Sequence, residues 1–199
     1  MIISITPYVT TLDAIEKRLT EMGKADSMNT VLKQAINEVA GIGKRQIREG
    51  VSREYTLKVF TAGDVKKRSR NTGHPSATLI VKGAPLEVSK YYEHRDNGAE
   101  HGAMVRILKA SEMKQLEIRS RNRVYKAFLA RMKSGHEGIF QRIPGKTMKG
   151  TNREAIKEIM SLSKAKAAEM FYEKSGLYTE LQEELVLRLH KHMNAVIGG

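Results

Sequence analysis

Phe128-Leu129-Ala130-Arg131-Met132-Lys133-Ser134-Gly135-His136-Glu137-Gly138-Ile139-Phe140-Gln141-Arg142-Ile143 is the stretch on which the fold class turns. Phe128, Ala130 and Met132 alternate with Leu129 and Arg131, the two-residue period of a half-buried strand. Ser134 to Gly138 then supplies turn residues before a second run of strand formers, so the spacing predicts an antiparallel hairpin with a five-residue turn. Phe128, Ile139 and Phe140 are assigned to its core.

Outward from this hairpin the period changes on both sides. Upstream, Leu12, Ile15, Leu19 and Met22 fit one face of a short helix that stops near Gly23. Ser27 can cap a longer helix carrying Val31, Leu32, Ala35, Ile36, Val39, Ala40 and Ile47 at steps of three and four. Gly41, Gly43 and Gly50 each weaken that helix by roughly 1 kcal/mol relative to Ala, so a close approach or a break is expected there. Tyr55 to Phe60 alternates as a strand, residues 61 to 68 read as a short helix, and Thr78 to Val81 as a strand with residues 86 to 88 as its hairpin partner. Met104 to Leu108 is a further strand, and His94 to Gly102 and Pro144 to Gly150 are polar, Gly-containing loops expected to order on assembly. Downstream, helical spacing returns at Ile156, Ile159 and Met160 and through Ala165, Ala168 and Phe171. Leu177, Leu181, Leu185, Leu189 and Met193 stand four apart, a narrow stripe that needs a sheet or a neighbouring chain to cover it. The class is therefore α+β: a central, mostly antiparallel sheet flanked by N-terminal helices and a C-terminal helix. The expected divisions are an N-terminal segment at 1–26, an α+β core at 27–160 and a helical region at 161–199.

A chain of 199 residues buries roughly 70% of its unfolded surface on folding, and 40% hydrophobic with 29% charged residues is ordinary globular usage. No apolar run reaches the about 18 residues of a membrane span. The absence of Cys removes disulfides, thiolate zinc sites and a cysteine nucleophile. Met1 to Pro7 has neither the positive segment nor the apolar core of a secretory signal, which makes the cytoplasm the expected compartment.

Charge is the strongest compositional signal. Thirty-five Lys and Arg against 22 Asp and Glu leave +13, a field that favours phosphate backbones, anionic lipids or acidic protein surfaces. Between Arg106 and Lys133 nine basic residues face only Glu112 and Glu117, with Arg119, Arg121 and Arg123 alternating. Lys66, Lys67, Arg68 and Arg70 form a second cluster leading into Asn71-Thr72-Gly73-His74. These seven cations are the expected contacts to DNA or an acidic partner, as charges and not as readers of bases. The Glu-rich stretch from Glu169 to Glu184 has the opposite sign, and such polarity suits head-to-tail association into a ring.

Other constellations are weaker. His190 and His192, two apart on a helix, point to opposite sides. His94, Asp96, Glu100 and His101 share a loop, which would suit a metal-dependent hydrolase, but match no ligand spacing. Gly145-Lys146-Thr147 resembles the end of a P-loop, yet no Gly stands at the earlier position that motif requires. No catalytic, cofactor or metal residues are assigned and the chain is read as non-enzymatic.

Gly138-Ile139-Phe140-Gln141-Arg142, after Ala127-Phe128 and before Arg153-Glu154-Ala155-Ile156, resembles the pattern of the phage and prophage minor tail protein Z family. Lys44-Arg45-Gln46-Ile47-Arg48 running into Tyr55-Thr56-Leu57-Lys58 agrees with that family's order of elements, and the similarity covers about residues 27 to 175. Ala155 stands where the family tends to place Pro, and Ser161-Leu162-Ser163 replaces a Gly-Pro-Ser-like element. The resemblance implies a virion component acting in tail completion at the head-proximal end of a long tail, made in the host cytoplasm. Its implied partners are itself, as a ring homo-oligomer, the tail tube and head–tail connector proteins, with duplex DNA as a further, sequence-independent partner and no membrane. The alternative reading of the sequence is a free, sequence-independent nucleic-acid-binding accessory protein.

Overall fold

The computed structural model describes residues 1–71 and 75–198, with nothing said of the side chains of Val9, Ala99 and Glu100. In chain order the elements are β1 (Ile2–Ile5), α1 (Val9–Glu21), α2 (Met28–Glu54), β2 (Val65–Arg70), β3 (Ser76–Val81), β4 (Leu86–Glu87), α3 (Val88–Tyr91), β5 (Glu93–Asp96), α4 (Gly98–His101), β6 (Ala103–Arg106), β7 (Lys114–Gln115), β8 (Glu117–Ser120), β9 (Arg123–Lys126), β10 (Phe128–Arg131), β11 (Glu137–Thr147), β12 (Glu154–Glu158), β13 (Met160–Ser161), α5 (Lys164–Ser175) and α6 (Leu177–Ile197). The class is α+β. Among the described residues the strands fall into five small antiparallel sheets. No described helix is long and apolar enough to cross a membrane.

The chain divides into two compact units that cut across the expected divisions. One comprises Met1–Gly50, Thr61–Lys82 and Ala168–Gly199, the other Val51–Phe60 and Gly83–Ala167.

In the first unit α2 is the spine. Val31, Ala35, Ile36, Val39, Ala40 and Ile47 are all buried on its apolar stripe. The sheet has the order β1-β3-β2, and Ala77, Leu79 and Val81 of β3 are buried on one face. Gly43 and Gly50 keep the long helix intact because the space beside them is taken by side chains. A Cβ on Gly43 would lie 3.0 Å from Leu79 Cδ1 and 3.1 Å from Leu181 Cδ1, so β3, α2 and α6 meet there. On Gly50 it would lie 2.0 Å from the Phe171 ring, whereas on Gly41 it would meet nothing within 4 Å. The stripe Leu177, Leu181, Leu185, Leu189 and Met193 is buried within this unit, where α1 and α2 supply its cover. Burying each such side chain contributes roughly 1.5–3 kcal/mol. Gly176, at φ 68°, is the left-handed residue that separates α5 from α6. On the polar flank Glu38 accepts from Arg188 at 3.2 Å and pairs with His192 at 3.0 Å, tying α2 to α6.

In the second unit the hairpin forms as expected, with Phe128↔Phe140 and Leu129↔Ile139 in register. Its turn is displaced: residues 132–136 make it, and Glu137 and Gly138 belong to β11. Ile139 and Phe140 are buried and Phe128 half-buried. Tyr92, fully buried, donates to the Leu162 carbonyl at 2.7 Å, while the buried Tyr55 hydroxyl has no hydrogen-bond partner among the described residues.

Several local expectations are corrected. Residues 55–60 are not a strand. Tyr55, Thr56 and Leu57 are buried consecutively, which breaks the alternation, and the segment is pinned by one bridge to Leu108 and by Thr56 N donating to Ile107 O at 2.9 Å. Residues 61–68 are a single 3-10 turn (Ala62–Asp64) followed by β2, because β3 offers a free edge to pair with. Leu86–Glu87 pairs with β13, not with β3. Ile156 and Met160 lie in strands, not in a helix: β11 presents an unpaired edge that β12 (Glu154–Glu158) fills through Phe140↔Glu158 and Gln141↔Lys157, and Met160 in β13 pairs with Glu87 of β4. The Pro144 loop is largely absorbed into β11, with a register shift between Arg142 and Thr147 that accommodates Pro144. The His94 loop carries β5 and α4.

Gly50→Ala should destabilise the protein by about 1–3 kcal/mol or more, because the buried Phe171 ring cannot move aside, while Gly41→Ala should stabilise it by about 0.5–1 kcal/mol. Urea denaturation of both variants measures the contrast. Burial pushes the Tyr92 hydroxyl up from 10.0 to about 12. The neutral phenol is favoured in the fold, so its contribution is intact below pH 10 and is lost as pH rises from 10 towards 12. Tyr92→Phe should therefore show a shallower loss of stability over that window in alkaline unfolding curves.

Candidate functional site

The expected basic residues sit on two differently built surfaces. β2 is an edge strand, and every residue from Lys66 to Arg70 is exposed. These residues thus belong neither to the short helix expected over residues 61 to 68 nor to a loop, but are held by pairing to β3 in a register from Val65↔Val81 to Arg70↔Ser76. Residues directly opposite in an antiparallel pair share a face. Lys67 and Ser69 therefore lie on the face of buried Leu79 and Ala77, and reach Asn37 Oδ1 on α2 at 3.4 Å and 2.6 Å. Lys66, Arg68 and Arg70 line the opposite face, about 6.7 Å apart along the strand, with no ion pair among the described residues. Charged residues on an exposed edge also discourage pairing with another chain's strand. Residues 72–74 of the same run lie outside the described residues.

A second basic group stands on the same unit. Lys44, Arg45 and Arg48, with Gly41 and Ala62, line a shallow cavity of about 230 Å³. Their spacing of one, three and four residues puts them on one side of α2, and Gly41 leaves that side open. Helical periodicity of cations, not only of apolar residues, is the signal that finds this group. Arg48 also pairs with Glu49 at 3.2 Å, an exposed pair.

Arg119, Arg121 and Arg123 lie on the β8–β9 hairpin, whose two-residue turn is Arg121-Asn122. Arg121 has φ 51°, the only positive value at a described non-glycine residue, and a tight hairpin turn demands it. Arg119 Nη2 is paired with Glu117 at 3.1 Å, so its charge is partly answered within the chain. Arg121 and Arg123 instead line a cavity of about 360 Å³ with Ser120, Tyr125, Pro144 and Glu154. Tyr125 donates to Glu154 Oε1 at 3.1 Å, and Gln141 Nε2 donates to Tyr125 O at 3.0 Å, fastening the hairpin to β11.

The histidine readings resolve differently. His192 faces Glu38 and His190 is exposed, so the two do not converge. His94 Nδ1 lies 3.2 Å from Tyr92 O, and Asp96 Oδ1 accepts from Gly98 N at 3.2 Å. The Glu100 side chain lies outside the described residues. Among those residues the only group of three metal-competent donors is Glu87, His136 and Glu158, drawn from three elements far apart in sequence.

Lys66→Ala, Arg68→Ala and Arg70→Ala should each shift the unfolding free energy by about 0.5 kcal/mol or less, because no partner is lost. Asn37→Ala, which strips Ser69 and Lys67 of their acceptor, should cost about 0.5–1.5 kcal/mol, and thermal denaturation of the four variants checks both. No family model matches this chain, and neither a curated protein nor a solved structure matches it.

Proposed function

We propose that the protein is a non-enzymatic structural component of a long-tailed phage, acting in tail completion at the head-proximal end of the tail. Subunits assemble as a ring, contact the tail tube and head–tail connector proteins, and turn cations towards DNA or acidic neighbours. The protein resides in the virion tail and, during assembly, in the host cytoplasm. The observation that carries the reading is the row Lys66, Arg68 and Arg70, fixed by strand pairing and unanswered by any described carboxylate. It stands on the same unit as Lys44, Arg45 and Arg48. Cations held this way meet a repeating anionic surface without reading its sequence. The resemblance of residues 27 to 175 to minor tail protein Z supplies the particle in which such a surface has a place.

Arg121 and Arg123 serve the same role on the hairpin, and Arg119, engaged by Glu117, contributes less. Few cations per subunit make the contact weak for a lone chain. A ring multiplies them, because each further contact is made at a high effective concentration.

Negative-stain imaging with mass measurement, of the protein alone and mixed with tail tubes, tests the proposal. Rings seated at one end of each tube are expected, and their loss when Lys66, Arg68 and Arg70 are all changed to Glu. A monomer that ignores tubes but binds duplex DNA at micromolar concentration, with affinity falling steeply as salt rises, would overturn it in favour of the free nucleic-acid-binding protein.

A further inference from the structure

Three side chains of the second unit form a cluster that the tail reading does not use. The donor atoms of Glu87, His136 and Glu158 all lie within 4.8 Å of one another. Glu87 ends β4, His136 sits in the β10–β11 turn, and Glu158 ends β12. We propose that these three residues bind one divalent transition-metal ion, Zn²⁺ or Mn²⁺, with water completing its coordination. This inference stands independently of the role in a phage tail.

The spacing suits an ion. Two ligands about 2.1 Å from one tetrahedral centre stand about 3.4 Å apart. His136 Nε2 and Glu158 Oε1 are 3.0 Å apart, and a Glu87 carboxylate oxygen lies within 4.8 Å of both. The backbone beneath the donors is fastened. Glu87 pairs with Met160, Val88 N donates to Ile159 O at 3.4 Å, and Ile159 N donates to Ile139 O at 2.8 Å. Met132 N donates to His136 O at 2.7 Å, and the His136 ring stands edge-on to Phe140, centroids 6.1 Å apart. Room for the carboxylate is built in: a Cβ on Gly138 would lie 2.4 Å from Glu158 Oε1. Any larger residue there would displace this donor.

The charges leave a vacancy that a cation answers. The imidazole faces Glu158, but the Glu87 carboxylate has no hydrogen bond or ion pair among the described residues, although it is half-buried beside a second carboxylate. One imidazole nitrogen with two carboxylate oxygens suits Zn²⁺ or Mn²⁺, whereas Ca²⁺ asks for six to eight oxygens. His136 is 38% exposed and Glu158 23%, which leaves an entry path from solvent and positions for water. Bound there, the ion ties β4, β12 and the β10–β11 turn together, so its binding energy adds to the stability of the fold.

Calorimetric titration of chelator-treated full-length protein with ZnCl2, and separately with MnCl2, tests the site in the wild type, Glu87→Gln and His136→Gln. Circular dichroism checks that each variant is folded. Expected are one equivalent of at least one of the two ions, affinity at least tenfold weaker in each folded variant, and a rise in wild-type Tm with that ion that Glu87→Gln lacks. If His136→Gln does not fold, Glu87→Gln decides alone, since it keeps shape and removes only charge. Absence of binding by the wild type, or undiminished affinity in Glu87→Gln, would overturn the proposal.

Discussion

The close approach of α2 to β3 and α6 at Gly43 is the constraint on which the first unit depends. A side chain there would have to push aside either Leu79 or Leu181, both of which are buried, so the sequence gives up roughly 1 kcal/mol of helix propensity to keep three elements in contact. Gly50 makes the same trade against Phe171. Interiors packed at crystal-like density transmit such small volumes directly into stability, which is why two helix-weakening residues sit in the most buried helix of the unit.

The basic surface inherits its geometry from that packing. β2 has its direction set by β3, and β3 is held by α2, so Lys66, Arg68 and Arg70 occupy defined positions in a row instead of sampling a loop's conformations. Asn37 makes the coupling explicit, because one side chain on α2 receives both Ser69 and Lys67. Preorganised cations lose less freedom on meeting an anionic partner than cations on mobile segments, so more of each contact is retained as affinity. The β8–β9 hairpin reaches a comparable result by other means. Two strands alone are marginal in water, and the hairpin leans on Tyr125–Glu154 and Gln141–Tyr125 for its footing.

How far the chain could be read in advance follows from where the physics is local. The hairpin of β10 and β11, the helices α1, α2 and α6, and the buried face of α6 are legible because their apolar periods are long and unbroken. β12 was expected as helix because Ile156, Ile159 and Met160 satisfy a helical period over too few residues to exclude a strand, and the free edge of β11 decides the matter from a distance. The Tyr55 segment misleads in the opposite sense, since its strand-forming residues are buried one after another where α2 ends. At the basic surface the residue types were legible and their setting was not. Lys66 to Arg70 are not recognisable as a strand because five consecutive exposed residues leave no buried face to betray it. Lys44, Arg45 and Arg48 lie in a helix whose apolar period dominates the pattern, so only their own spacing marks them as one group. Glu87, His136 and Glu158 follow no spacing at all, since only strand pairing brings them together.

Hydrogen–deuterium exchange at single-peptide resolution tests most directly whether α2 is the rigid support of this arrangement. Amides of residues 31–47 should exchange only through global unfolding, together with those of residues 181–193, while residues 117–126 of the hairpin exchange through a smaller local opening. Exchange of residues 31–47 as fast as that of the hairpin would contradict the account, because cations mounted on so mobile a helix and sheet would have no fixed spacing to offer a partner.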